Sequence, residues 1–258
     1  MTVRLEIAGQ VARVTIDRPD RMNAVDAATE AALERVWSRI ETGDDIRCVV
    51  LTGAGDRAFS AGADMKAANG VGGLEYWGAA NPNGFGGIAL RQGLTVPVIA
   101  RVNGLALGGG FEMVLGADIV IAADHARFGL PEARVGRLPL DGGMVALQRL
   151  IPRNVAAGLM MTGRMLSAED AARHGLVNAV VPPDRLDAEV DAWVADILSC
   201  APLSVAAIKD TIRSTAHLNP QEARDLRRPA LIAALKSEDS AEGVAAFREK
   251  RAPVWRGR

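Results

Sequence analysis

The sequence predicts an α/β core followed by a helical portion, on three observations. Apolar runs of strand character alternate with helical patterns over the first two-thirds of the chain. From about Asn154 onward the patterns are helical. No Gly/Ser linker, low-complexity tract or short-period repeat interrupts the chain. The expected division is a core over residues 1–195 and a helical portion over 196–258.

The elements follow in order. The start, "MTVRLEIAGQVARVTIDRP", alternates like a strand, and the strand is read over "VARVTIDRP", whose apolar and polar residues alternate. In "DAATEAALERVWSRIETGDD", Ala32, Leu33, Val36, Trp37 and Ile40 fall at helical spacing; Asp26 can cap the start and Gly43 follows the end. "IRCVVLTG" is a buried strand by its Val-Val-Leu content. Residues 66–87 read as a loop insert, rich in Gly and Asn yet holding Tyr76, Trp77 and Phe85. Aromatics there make either a lid or pocket wall, or a small satellite cluster. "VPVIARVNGLAL" reads as one strand, "FEMVLGAD" opens a helix, and "IVIAADHARFGLPE" is another strand. Helices are then expected over "NVAAGLMMTG", "SAEDAARHG", "DRLDAEVDAWVADILSC", "LSVAAIKDTIRSTA" and "EDSAEGVAAFREKR", with Ser167 and Asp170 as a capping box and Gly175 as a stop.

Composition narrows the function classes. The 258 residues are 49% hydrophobic and 24% charged with a net charge of −1, ample for a core. Near-neutral charge and the lack of a Lys/Arg block with interleaved aromatics argue against a nucleic-acid partner. The N-terminus lacks the apolar core of a signal peptide, and no uncharged run is long enough to span a membrane. Cys48 and Cys200, far apart in apolar or strand-like surroundings, read as reduced structural thiols of a cytoplasmic protein. No Cys/His spacing suggests a metal, and His125, His174 and His217 are scattered into surface or satisfied polar roles.

Chemistry concentrates in "LALGGGFEMVLGAD", residues 105–118. A strand ends near Leu107 and a helix begins near Gly110, leaving unpaired N–H groups and the positive end of a dipole. Glycine lets another group approach that backbone closely, which suits an anion or a developing oxyanion. A second Gly-rich turn, "FSAGADMK", follows the strand "CVVLTG", so the two turns could converge on one oxygen. Glu112 lies just inside the helix, and Glu132 follows Pro131 twenty residues on. Two carboxyls beside such a turn can manage the protons of a water molecule. On spacing alone a plainer reading stands beside this one: Gly-rich turns serve close packing, and Glu132 is a surface loop acid.

The motifs resemble, nearly end to end, the crotonase superfamily, the enoyl-CoA hydratase/isomerase family. The segments carrying the likeness are "IDRPDRMNAVD", "VVLTGAGDRAFSAGADMK", "PVIARVNGLALGGGFEMVLGADIVIAADHARFGLPEARVG", "MTGRMLSAEDAARHGLVNAVVP" and "EGVAAFREKRAPVWRGR", in that order. The resemblance implies a crotonase-like superhelix of strand–strand–helix turns, with C-terminal helices that build a homotrimer or a hexamer of two trimers. It implies an acyl-CoA substrate whose thioester oxygen accepts from the N–H groups of Ala63 and Gly109. Two glutamates imply a hydratase that adds water reversibly, in syn fashion, to a 2-enoyl-CoA: Glu112 mainly activates water and Glu132 mainly protonates carbon.

By the same resemblance, isomerases commonly keep only the acid matching Glu132, and aryl-CoA dehalogenases place a nucleophilic Asp where this chain has Leu140. Asp141 is one residue off, expected to point away. Leu140 departs from the family's usual Gly and is expected to narrow the pocket. The segments "GFGG", "APLSVAAIKDTIRSTAHLNPQEA" and "KSEDSAEGVAAFREKRAPVWRGR" resemble the carnitinyl-CoA dehydratase branch, which handles a trimethylammonio acyl-CoA. Tyr76, Trp77 and Phe85 are then candidate faces for the quaternary ammonium. The resemblance puts the CoA adenine near Met22, Ala24, Ala61, Asp64 and Met65, with Lys66 and Lys250 either meeting CoA phosphates or forming ordinary solvated faces. It implies no metal and no cofactor beyond the CoA of the substrate. A non-catalytic CoA-binding or RNA-binding relative is the rival class, disfavoured by the retained acids.

Overall fold

The computed structural model describes residues 2–43, 45–66, 73–79 and 81–258. Strands β1 (Val3–Ala8) and β2 (Val11–Ile16) form an antiparallel hairpin, turned at Gly9 with φ 56°. Helix α1 (Ala27–Glu41) begins where expected, because Asp26 accepts a hydrogen bond from the Thr29 amide. Its buried face presents Leu33, Trp37 and Ile40.

A repeated pattern follows. Strands β3 (Cys48–Gly53), β5 (Val98–Val102) and β7 (Ile119–Ala123) enter a six-stranded sheet of order β1-β2-β3-β5-β7-β10, parallel from β2 onward. Each is followed at once by a short strand in a second sheet of order β4-β6-β8-β9: β4 (Ala58–Ser60), β6 (Leu105–Leu107) and β8 (Arg127–Gly129). Helices come next in each turn. They are α2 (Gly73–Gly78), α3 (Gly109–Leu115), and the pair α4 (Gly143–Leu150) and α5 (Arg153–Thr162). Strand β9 (Leu166–Ser167), α6 (Ala168–Arg173) and β10 (Ala179–Val181) complete both sheets. This is the expected winding of strand–strand–helix turns.

Both faces of the larger sheet are covered, which is why its strands read as continuous apolar runs. Val49, Leu51, Val98, Ala100 and Ala122 face the main core. Their neighbours Cys48, Val50, Ile99, Ile121 and Ala123 face α7 (Leu186–Ser199) through Leu186, Val190 and Val194. The passage expected at residue 195 therefore falls inside a helix that packs on the sheet. Helices α8 (Pro202–Thr215), α9 (Pro220–Asp225), α10 (Pro229–Lys236) and α11 (Glu238–Glu249) follow. On α8, Lys209 and Arg213 bind Asp118 at 2.7 and 3.2 Å, fastening the helix to the core.

Five expectations are corrected. The runs "VPVIARVNGLAL" and "IVIAADHARFGLPE" each hold two strands, because the chain turns a corner into the second sheet at Asn103–Gly104 and at Asp124–His125. Two short strands, β9 and β10, lie beyond residue 154, where only helices were expected. Residues 66–87 are not simply a loop: they contain α2 and a single turn of 3-10 helix, Phe85–Gly87, while residues 67–72 and 80 lie outside the described residues. Ser167 caps α6, but Asp170 returns its side chain to the Ser167 hydroxyl, not to the backbone. The reciprocal capping box is instead at Asn219 and Glu222, opening α9. Cys48 is buried, but Cys200 is exposed just past the end of α7, not in apolar surroundings. No single helix among the described residues is long and apolar enough to cross a membrane.

Candidate active site

The three glycines between β6 and α3 have three separate reasons. Gly108 has φ 53°, and a Cβ there would lie 2.9 Å from Glu132 Oε1. A Cβ on Gly109 would lie 2.5 Å from the Phe85 ring, and one on Gly110 would lie 2.2 Å from the Ser60 carbonyl. The helix start is thus pressed between the other Gly-rich turn, an aromatic wall and a glutamate. Gly62, at φ 81°, brings the two turns together: its Cβ position is 2.7 Å from Leu107 O and 3.0 Å from Gly109 N.

Two amides emerge from this convergence without acceptors. Val25 and Asp64 exchange the bonds that bridge the neighbouring strand, Val25 N–H to Gly62 O and Asp64 N–H to Val25 O. That leaves the N–H of Ala63 with no hydrogen bond among the described residues. Gly109 is the first residue of α3, so its N–H has none either. Both residues line one cavity of about 1150 Å³.

Glu112 sits in the first turn of α3 at 3% exposure, and its Oε1 accepts from the Gly143 amide at 2.9 Å. Glu132 opens a single turn of 3-10 helix after β8 and is half-buried; its Oε2 is buried without a hydrogen-bond partner among the described residues. Both line the cavity, so Glu132 is not a surface loop acid. Burial pushes Glu112 up to about 8; the Gly143 amide draws it back, and the charges of Asp141 and Glu132 add to the rise. Burial also raises Glu132.

Of the other expected positions, Ala61, Met65, Tyr76, Trp77, Phe85 and Leu140 line the same cavity. Tyr76 gives its hydroxyl proton to Asp141, Phe85 packs on the oxyanion turn, and Trp77 is 68% exposed, so the three do not form a cage. Met22 and Ala61 are neighbours through the Ala61 N–H to Met22 O bond. Ala24 and Asp64 are held by Arg18, which binds the Ala24 carbonyl and pairs with Asp64 and Asp26 at 2.9 Å. Met22, Ala24, Asp64 and Lys66 stand beside the cavity lining, not in it. Lys250, exposed, follows α11 in a left-handed conformation with φ 53°.

Three contributors escaped the sequence reading. Arg18 organises the Met22–Asp64 group. Asp141 lines the cavity at 8% exposure and holds Tyr76, so its expected outward direction is corrected: residues 140–142 form a turn, where strand alternation does not apply. Glu30, on α1, accepts from the Gly86 amide and is pushed by burial up to about 7. An acid just before Gly-Gly was the one available signal for Asp141; nothing in an ordinary helix sequence marks Glu30.

A cavity with two free amides beside a buried and a half-buried glutamate is suited to stabilising an oxyanion while moving protons nearby. Known proteins resemble the chain along nearly its whole length. Carnitinyl-CoA dehydratase of Salmonella arizonae is 41% identical over 260 residues, 99% of this chain and 98% of that protein. The enzyme of the same name from Escherichia coli K12 is 40% identical over 254 residues, 97% and 96% of the two chains. Among solved structures, enoyl-CoA hydratase from Bacillus anthracis superposes with a TM-score of 0.92 at 32% identity, over 100% of both chains. That from Mycobacterium tuberculosis H37Rv gives 0.90 at 33% identity, over 100% and 99%. Residues 6–258 match the family described as enoyl-CoA hydratase/isomerase, and with the winding of the fold and the pressed glycine turn, this makes the chain a member of that family, an enzyme of the crotonase type.

Proposed function

We propose that the protein is a hydro-lyase acting on acyl-CoA thioesters, interconverting a 2-enoyl-CoA plus water with a 3-hydroxyacyl-CoA. The observation that carries this reading is the convergence of two acceptor-free amides, the buried Glu112 and the half-buried Glu132 on one cavity. The thioester oxygen accepts from Ala63 and Gly109, which stabilise the enolate as charge develops; one such donor is typically worth about 3 kcal/mol. In hydration, ionised Glu112 takes a proton from water as oxygen bonds to the β-carbon, and protonated Glu132 delivers a proton to the α-carbon. Dehydration reverses each transfer: Glu132 takes the α-proton, the carbon–oxygen bond breaks, and Glu112 protonates the leaving hydroxyl.

The pair works with one shared proton. Glu112 is held higher, at about 8, so the free protein carries that proton on Glu112. This is the starting state for dehydration. A second, finer reading, in which the substrate is a trimethylammonio acyl-CoA, rests on the name of the carnitinyl-CoA dehydratase relatives. Retention of Glu112 speaks against an isomerase relying on Glu132 alone.

The reading extends to the rest of the molecule. CoA lies along Met22, Ala24, Ala61, Asp64 and Met65, with Lys66 and Lys250 as phosphate contacts, and no further cofactor is required. Exposed apolar helix faces support a homotrimer or hexamer. Two free thiols suit a reducing, cytoplasmic setting. The test is ultraviolet absorbance of the conjugated thioester with crotonyl-CoA and its trimethylammonio analogue, run in both directions. Enzyme-dependent loss in hydration and gain in dehydration are expected with at least one of them. No change with either across a range of pH would sink the proposal, and a large preference for the charged analogue would select the finer reading.

A further inference from the structure

We propose that Asp141 is a positioning residue for the proton transfer, fixing Glu112 through the turn 141–143 and keeping the shared proton on Glu112 by its own negative charge. The inference rests on the hydro-lyase reading for its consequence, but not for its geometry.

Asp141 is joined to both sides of the cavity. Its carboxylate accepts from the Tyr76 hydroxyl on α2 and from the Phe85 backbone amide. Two residues on, Gly143 donates to Glu112 Oε1 at 2.9 Å. Between them Gly142 has φ 110°, a conformation a side chain would strain. The carboxylate therefore anchors the turn at one end while the amide orients Glu112 at the other. Because Tyr76 is on α2, the same carboxylate also ties that helix to the catalytic wall.

Charge completes the argument. The titratable groups lining this part of the cavity are Glu112 on α3, Glu132 after β8, Asp141 before α4 and Tyr76 on α2, with Glu30 on α1 behind the lining and within reach of the Asp141 charge; Arg134 and Arg137 lie elsewhere along the lining. None of the four carboxyls forms an ion pair with Lys, Arg or His among the described residues. Burial raises Asp141 while its neutral donors draw it back; Glu112 accepts from the Gly143 and Asp141 amides, but its deeper burial pushes it up to about 8. Two acids in contrasting surroundings separate their roles. Asp141 ionises first, and its charge then opposes ionisation of Glu112. Glu112 retains a proton for the leaving hydroxyl.

The test reads Glu112 directly. The protonated-carboxyl band in the infrared spectrum of the full-length protein is titrated with pH and assigned by its loss in Glu112→Gln. In Asp141→Asn, which keeps the size and can still accept from Tyr76, the Glu112 band should ionise at a pH lower by at least about 0.5 unit. With a 3-hydroxyacyl-CoA, the alkaline fall of kcat/KM should move down by the same amount, with KM little changed. Tyr76→Phe should lower kcat by several-fold and leave the band in place or lower it slightly, because Asp141 loses a donor that favours its anion. An unchanged Glu112 titration in Asp141→Asn overturns the inference whatever the enzyme turns over. A shifted titration without turnover of any acyl-CoA upholds it and overturns only the hydro-lyase reading.

Discussion

Glu112 shows what a working acid does to the protein that carries it. A carboxyl that ionises at about 8 in the folded protein, against an ordinary 4.5, keeps a proton the unfolded chain has already lost. The sign follows: stability is fully present below about 4.5, falls as pH rises towards 8, and stays reduced above it. Glu112→Gln should therefore be more stable than the natural protein at pH 8.5, by on the order of 5 kcal/mol at about 1.4 kcal/mol per unit, and nearly equal to it at acidic pH. Thermal unfolding at both pH values checks this; equal shifts at both would refute it. Activity should move the other way. Glu112→Gln and Glu132→Gln should each lower kcat roughly 10²–10⁴-fold while CoA binding, measured by calorimetry, changes little. Near-normal turnover in either would remove that residue from the mechanism. Glu112 and Glu132 were legible in the sequence because each sits beside a turn residue that announces a special backbone. Asp141 and Glu30 were not, since their burial comes from Phe85–Gly87 folding over them, a long-range event no local pattern encodes.

Elements are positioned here by corners as much as by strands. Asn103 stands where β5 leaves one sheet and β6 enters the other. Buried, it donates to Gly55 O at 2.7 Å and Ala58 O at 3.1 Å, and its Oδ1 accepts from Gly53 N–H and the Thr52 hydroxyl. Gly104 follows because a Cβ there would meet Arg57 O at 2.4 Å. The corner thus holds the β3–β4 connection against β5 and β6, and both oxyanion turns lie beyond it. Asn103→Ala would take a donor from Gly55 O and an acceptor from Gly53 N–H, while Ala58 O would keep its bond from Asn23 Nδ2, at a cost of about 1–3 kcal/mol for each buried group left unsatisfied. Chemical denaturation should show a loss of at least that size. It should come with a fall in kcat, because Ala63 and Gly109 lose their common support. A loss below about 0.5 kcal/mol, the range of surface substitutions, would mean water replaces the side chain. The sequence showed the apolar content of these runs but not the corner: Val-Asn-Gly reads as a weak spot in one strand until a second sheet is there to receive the chain. Helix α1, with cap, period and stop all local, was fully legible.

At the scale of the whole molecule, the question is what covers the C-terminal helices. Helix α8 has one face locked to the core, with Ala207 and Lys209 buried and both Lys209 and Arg213 bound to Asp118. Ile208 and Ile212, one turn apart, must then point away, and both are exposed. Leu235 on α10 and Phe247 on α11 are 71% and 86% exposed. Isolated exposed apolar side chains are ordinary, but several on adjoining helices mark an interface. Burying a large side chain of this kind is worth about 1.5–3 kcal/mol. Helical spacing alone marks Ile208, Ile212 and Leu235 as surplus, since their helices carry more apolar positions than one contact face can use. It gave no hint of Phe247, which shares a helix with the well-packed Ala246. If these faces close on other copies of the chain, the protein should sediment as three or six times its 27.2 kDa mass. Ile212→Asp combined with Leu235→Asp should then yield a smaller species with unchanged circular dichroism, because neither side chain supports the protomer's own core. A 27.2 kDa natural protein at micromolar concentration in light scattering would overturn the assembly. An aspartate pair that leaves an oligomer intact would move its interface to another face, with exposed Val145, Leu150 and Met161 on α4 and α5 next to be substituted.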